Sequence, residues 1–200
     1  MIQEIALPID LILAKNSKNH KERVIQAVSL TNNRHLSYQQ LYSSMNLQFL
    51  PTLDQICLTL ARIFGEIVLA NADRETLSSL FDSKKVPGIS LSDYFGRFAK
   101  YSRCSFESFI IALIFVDRYI ENQGNIFIHK TNCHRLFLTG LVLAIKMNDD
   151  LHLSNEDLAK IGGVGAAELA VLEWEMFRGL EFETRFEIRE FSDYLGLLLF

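Results

Sequence analysis

The segment from Thr131 to about Met147 is apolar almost all round. It reads Leu136-Phe137-Leu138 and then Leu141-Val142-Leu143-Ala144-Ile145. A helix without a polar face has to be enclosed by other helices or by lipid. The run Leu136 to Ile145 contains Thr139 and Gly140 and is far shorter than the ~20 residues of a membrane span. Protein must therefore enclose it. A chain of 200 residues, 49% hydrophobic and with 15 phenylalanines, has the material for one packed core plus an extension.

The neighbours supply that enclosure. Leu53, Ile56, Leu60, Ile63, Phe64, Ile67 and Val68 follow helical spacing within Thr52–Asn71. Lys84-Lys85-Val86-Pro87-Gly88 is a loop. Ser90 is a good N-cap, with Asp93 at the third helical position, ahead of the stripe Leu91, Tyr94, Phe95, Phe98, Tyr101. A second helix starts near Ser105, carries Phe106, Phe109, Ile110, Leu113, Asp117 and Ile120 on one face, and stops around Gln123-Gly124-Asn125. After the apolar helix, a short one follows Ser154 and ends at Gly162-Gly163. Another runs from about Ala166 to Arg178 with Gly179 as its expected terminator, and a last one covers roughly Phe186 to Leu198. Ile126-Phe127-Ile128 is the only strand candidate, and it is too short to matter. Met1–Pro51 is polar, with one amphipathic patch at Val24, Ile25 and Val28, and reads as an extension that is partly ordered at best. The expected fold is all-α, with five helices packed around the third and further helices at each end.

Charges stand on these core faces where they do not belong. Lys146 ends the apolar run, and Glu173 lies between Leu169, Leu172, Met176 and Phe177. Lysine and glutamate are rarely buried unless paired, so an opposed pair from two neighbouring helices is expected. Spacing alone leaves two roles open for it, an internal salt bridge or a paired contact for a partner. Asp117, one turn from Leu113 and Ile120, also needs a partner, and we expect Arg97 of the preceding helix to staple it.

Several functions are disfavoured. The net charge of −4 is not that of a phosphate-neutralising domain. Cys57, Cys104 and Cys133 are odd in number and dispersed, which excludes a disulfide framework and suggests reduced thiols. Pro8 and Asp10 break the apolar start of the chain, and no basic stretch precedes it, unlike a signal peptide. Gly162-Gly163-Val164-Gly165 lacks the Gly-Lys-[Ser/Thr] ending of a phosphate loop. His129, Cys133 and His134 face different sides of a helix and do not make a zinc site. Cys104 and His152 are not placed as a nucleophile–base pair. No enzyme, cofactor or metal is expected.

A family pattern emerges from specific runs. These are Ile89-Ser90-Leu91-Ser92-Asp93-Tyr94 with Arg97, and Ala112-Leu113-Ile114-Phe115-Val116-Asp117-Arg118-Tyr119-Ile120. Next come Asn132-Cys133-His134-Arg135-Leu136 and Ala144-Ile145-Lys146-Met147-Asn148-Asp149-Asp150. The last are Ala159-Lys160-Ile161-Gly162-Gly163-Val164, Glu168-Leu169, Leu172-Glu173 and Gly179-Leu180-Glu181-Phe182. In that order they resemble the five helices of the cyclin box, most of all the single-box, phosphate-regulatory class of P-type or U-type cyclins. The resemblance implies a regulatory subunit that binds a cyclin-dependent protein kinase and holds its αC helix in the active position. It implies kinase contact for Lys146 and Glu173, with Leu143, Met147 and Met176 as apolar surface beside them, and it matches Arg97–Asp117 to the internal salt bridge. Asp149 and Asp150 have two open roles: neutralising kinase arginines, or forming a polar start to the loop.

On this basis the chain divides into a variable extension (1–51), a helix and linker packing on the box (52–87), the box (88–184) and a C-terminal helix (185–200). The expected partner is the kinase, with no nucleic acid and no membrane. The protein is expected to be intracellular, in cytoplasm or nucleus, and monomeric until it meets its kinase. No substrate-docking signature with its tryptophan stands in the first box helix, since the single tryptophan is Trp174. The competing reading is a cyclin-fold adaptor that binds a protein without activating a kinase. It would be favoured by full burial of Lys146 and Glu173.

Overall fold

The computed structural model describes residues 38–44, 51–75 and 77–199. Among them are eight helices and no strand: α1 (Tyr38–Ser44), α2 (Leu53–Ala70), α3 (Leu91–Tyr101), α4 (Phe106–Gln123), α5 (Cys133–Asn148), α6 (Asn155–Gly162), α7 (Ala166–Gly179) and α8 (Ile188–Leu199). The all-α expectation holds. The patch at Val24–Val28 lies outside the described residues. Two units are formed. Leu53–Thr184 is the larger, and the smaller holds α1 and α8. In the smaller one Tyr38 packs at a tilt on Phe191, ring centroids 4.9 Å apart, and Phe191 also meets Phe186.

In the larger unit α5 is the centre. From Asn132 to Ile145 every residue except Arg135 is buried. α4, α6 and α7 pack along it, and α3 lies against α2 and α6. Phe137 joins the layers, with its ring 4.0 Å from Phe95, 5.8 Å from Phe109, 5.9 Å from Phe64 and 6.5 Å from Phe98. Such tilted and edge-on aromatic contacts add to simple area burial. α4 is more enclosed than a single apolar face implies: Ser108 to Val116 are all buried, because α5, α7 and α2 pack against it.

The helix starts follow their caps. Ser90 Oγ accepts from Asp93 N–H at 3.1 Å and donates to the Asp93 carboxylate at 2.6 Å. Ser105 and Ser154 accept from Ser108 N–H and Asp157 N–H in the same way. Gly124 (φ 67°) and Gly163 (φ 70°) end α4 and α6. Ile126-Phe127-Ile128 is an irregular linker, tied by Asn71 to Ile128 O at 3.2 Å and by Asn132 to Phe127 O at 2.9 Å.

Two expectations need correction. The Arg97–Asp117 staple does not form; among the described residues Arg97 makes no ion pair. The reason is packing: α3 sits on α2 and α6 rather than along α4, so the two side chains have no shared face. Gly179 is the last residue of α7 but not its left-handed cap. It is a glycine because an added Cβ would stand 2.3 Å from Tyr119 Cε2. The chain reverses at Glu181 (φ 54°) and Phe182 (φ 63°). Left-handed backbone at a non-glycine residue costs about 1–2 kcal/mol each.

His134 is buried between α5 and the start of α3. Its Nε2–H donates to Ile89 O at 3.1 Å, and its Nδ1 faces Cys133 Sγ at 3.3 Å. Desolvation lowers its pKa from the ordinary 6.5, against the opposing effect of the Ile89 hydrogen bond. The unfolded chain therefore binds a proton that the folded one resists, and stability falls as pH drops below about 6.5. Denaturant titrations between about pH 7 and 5 should show this loss, and His134→Gln should flatten it.

Gly179→Ala should cost about 1–3 kcal/mol by overpacking against Tyr119. Gly96, inside α3 with nothing within 4 Å of an added Cβ, should tolerate alanine with a gain of up to about 1 kcal/mol. Urea midpoints of the two variants should move in opposite directions.

Candidate functional site: a charged pair and exposed aromatics

Lys146 lies in the last turn of α5, where the enclosed helix leaves the core and a cation is favoured by the helix dipole. Its Nζ meets Glu173 Oε1 of α7 at 2.5 Å. The other oxygen, Oε2, accepts from Asn155 Nδ2 at the start of α6, 3.1 Å away. Three helices thus converge on one carboxylate. The pair is neither sealed nor fully solvated: 28% of the Lys146 side chain and 18% of Glu173 remain exposed. One of the three ammonium donors is used on Glu173.

Exposed apolar groups neighbour the pair in sequence. Met147 is 57% exposed and Leu151 is 88% exposed. On α7, one turn after Glu173, comes half-buried Phe177, and past the helix end comes exposed Phe182. Their rings are 5.1 Å apart, and Trp174 joins them at 6.5 and 6.0 Å. Large apolar groups massed at a surface mark interaction sites more often than chance.

The other expected site residues divide. Leu143 and Met176 are buried, at 6% and 0% exposure. Both are core residues and offer no apolar surface; α7 turns Met176 into the core together with Leu169 and Leu172. Asp149 is held internally. It accepts from Ser105 Oγ at 2.6 Å, Ser105 N–H at 3.2 Å and Asn148 Nδ2 at 3.2 Å, so it ties the end of α5 to the start of α4. Asp150 is exposed. Asn155, Leu151, Trp174 and Phe182 were not singled out from sequence. Trp174 follows Glu173 by one residue, about 100° round the helix and far from the buried stripe; that offset was the readable signal.

The three cysteines are not activated as nucleophiles. Burial pushes the Cys57 thiol up to about 12 and those of Cys104 and Cys133 up to about 11, leaving all three protonated near neutrality. No helix among the described residues is long and apolar enough to cross a membrane.

Comparison with known proteins adds a decisive observation, since the family model for cyclins matches residues 1–184. The chain belongs to the cyclin family. Plant cyclins of the U and P types are among its relatives. Cyclin-U4-3 of Arabidopsis thaliana is 33% identical over 128 residues, which is 64% of this chain and 58% of that protein. Cyclin-U4-2 of the same plant is 35% identical over 120 residues, 60% of this chain and 56% of that protein. Cyclin-P3-1 of Oryza sativa subsp. japonica is 32% identical over 117 residues, 58% of this chain and 49% of that protein. The cyclin described here is of that U/P class, and the matched region spans about half to three fifths of those relatives' length.

The two aspartates of this cyclin should separate cleanly. Asp149→Ala should cost about 1–2 kcal/mol through the lost contacts at the α4 N-terminus. Asp150→Ala should stay within about 0.5 kcal/mol of the parent. Thermal melts of the free protein compare them directly.

Proposed function

We propose that this cyclin is the regulatory subunit of a cyclin-dependent protein kinase, which it binds and activates. The observation that carries the reading is the partly exposed Lys146–Glu173 pair, with exposed Met147, Leu151, Trp174 and Phe182 near it along α5, α7 and the segments that follow them. Family membership supports a regulatory role. Partial exposure of the pair counts against the adaptor reading, which full burial would have favoured.

The physical task is to hold a helix. A protein kinase needs an ion pair between its strand lysine and its αC glutamate to hold the ATP phosphates. A surface that binds only the inward position of αC shifts that equilibrium by its differential affinity. In this reading the aromatics and Met147 supply apolar contact, and the charges fix register and suppress wrong partners. Lys146 offers unused donors to helix carbonyls. Asp150 extends the acidic edge toward kinase arginines that otherwise await a phosphorylated loop. Asp149 is committed to α4 and contributes by fixing the end of α5.

The test is affinity for, and activation of, a panel of purified cyclin-dependent kinases. Lys146→Ala and Glu173→Ala should each weaken binding to the activated kinase at least about ten-fold, equivalent to about 1.4 kcal/mol. The free variants should keep the parent's helical circular dichroism. Full activation by the double variant would sink the proposal.

A further inference from the structure

α7 closes with a Schellman turn. Phe182 N–H returns to Phe177 O at 3.1 Å, and Glu181 N–H returns to Arg178 O at 2.9 Å. Glycine is the usual residue at the left-handed position of such a turn, yet Glu181 occupies it here and Phe182 follows in the same region. The strain has a visible product: Phe182 is brought back over Phe177 and beside Trp174. Strain of this kind persists only where the surroundings over-determine it.

One helix holds the chain on either side of the turn. Asn122 Nδ2 of α4 donates to Gly179 O at 3.0 Å, just before the reversal. Arg118 Nη1, one turn earlier on α4, donates to Glu183 O at 3.2 Å, just after it. Between them the Tyr119 ring lies flush against Gly179. α4 therefore grips the chain on both sides of the two strained residues.

We propose that Arg118 and Asn122 are positioning residues for the aromatic contact. They do not touch the partner; they hold the turn that displays Phe182. The proposal rests on the reading of this face as the kinase-binding surface, and it has a readout that needs no kinase. Trp174 is the only tryptophan, so its fluorescence reports on the ring beside it.

The experiment has two arms on the full chain. In the free protein, acrylamide quenching of Trp174 should rise in Arg118→Ala and in Asn122→Ala, as it does in Phe182→Ala. Arg118→Lys, which keeps a donor, should lie closer to the parent. In the kinase-binding arm, Arg118→Ala should weaken affinity about three- to ten-fold in the parent and less than two-fold in a Phe182→Ala background, since its effect runs through that ring. Glu181→Gly, which removes strain from the turn, should recover part of the loss in Arg118→Ala. If Asn122→Ala does not fold, the Arg118 series carries the test. Quenching that changes in Phe182→Ala but in neither α4 variant overturns the positioning role. Equal losses with and without Phe182 overturn it too, because they describe a merely structural residue. Kinase affinity unmoved by both Phe182→Ala and Lys146→Ala overturns instead the reading of the surface.

Discussion

α5 is enclosed from Asn132 to Ile145 except at Arg135, so each charge it carries must be met by a neighbour or stand at an end. Both conditions are used. Arg135 reaches Asp82 O at 3.0 Å and the Glu168 carboxylate in the first turn of α7. Lys146, in the last turn, reaches Glu173. The two glutamates are five residues apart on α7, so they lie on opposite flanks of the buried stripe Leu169, Leu172 and Met176. Together they fix how far α7 is rotated about its own axis. The side of α7 left facing water is then the side that carries Val171 and Trp174, 54% and 60% exposed. The surface of the site follows from how the core charges are satisfied.

A second consequence concerns where rigidity comes from. The N-terminal ends around the site are held by side chains: Asp149 on Ser105 for α4, and Asn155 beside Glu173 for α6. The C-terminal end of α7 is held by α4 through Arg118, Asn122 and the close fit of Gly179 on Tyr119. The helix ends around the candidate contacts are thus tied. A preorganised surface loses less side-chain and loop entropy on binding than one that must be ordered by its partner.

Much of this was legible in the sequence, and the parts that were not share a cause. Helical periodicity and caps at Ser90, Ser105 and Ser154 depend on neighbours in the chain, and they placed α3, α4 and α6 closely. The all-round apolarity of α5 required enclosure and received it. A lysine and a glutamate on core faces required each other and are paired. Arg97–Asp117 rested on the same logic of unlike charges on successive helices and does not form, because α3 packs elsewhere. Met176 was expected at the surface from the family resemblance, although its angle on the helix already put it with Leu169 and Leu172. Gly179 looked like a terminator because glycine serves two ends, a left-handed turn or a close approach, and only the position of Tyr119 distinguishes them. What failed was pairing across helices whose relative placement the local pattern does not encode.

The preformed pair bears on how the proposed surface distinguishes partners. Each oxygen of Glu173 accepts one hydrogen bond and the side chain is only 18% exposed, whereas the ammonium of the more exposed Lys146 has spent one donor of three. An incoming helix therefore meets a cation with donors to spare, held at a fixed point by its own counter-ion. Backbone carbonyls at the end of a helix fit that requirement, because they are unpaired acceptors carrying partial negative charge. A helix presented the other way round would bring unpaired N–H groups toward that ammonium, and only the less exposed Glu173 carboxylate could accept from them. The pair on this reading selects the direction of the helix it receives. The aromatics, which attract any apolar face, set how tightly it is held.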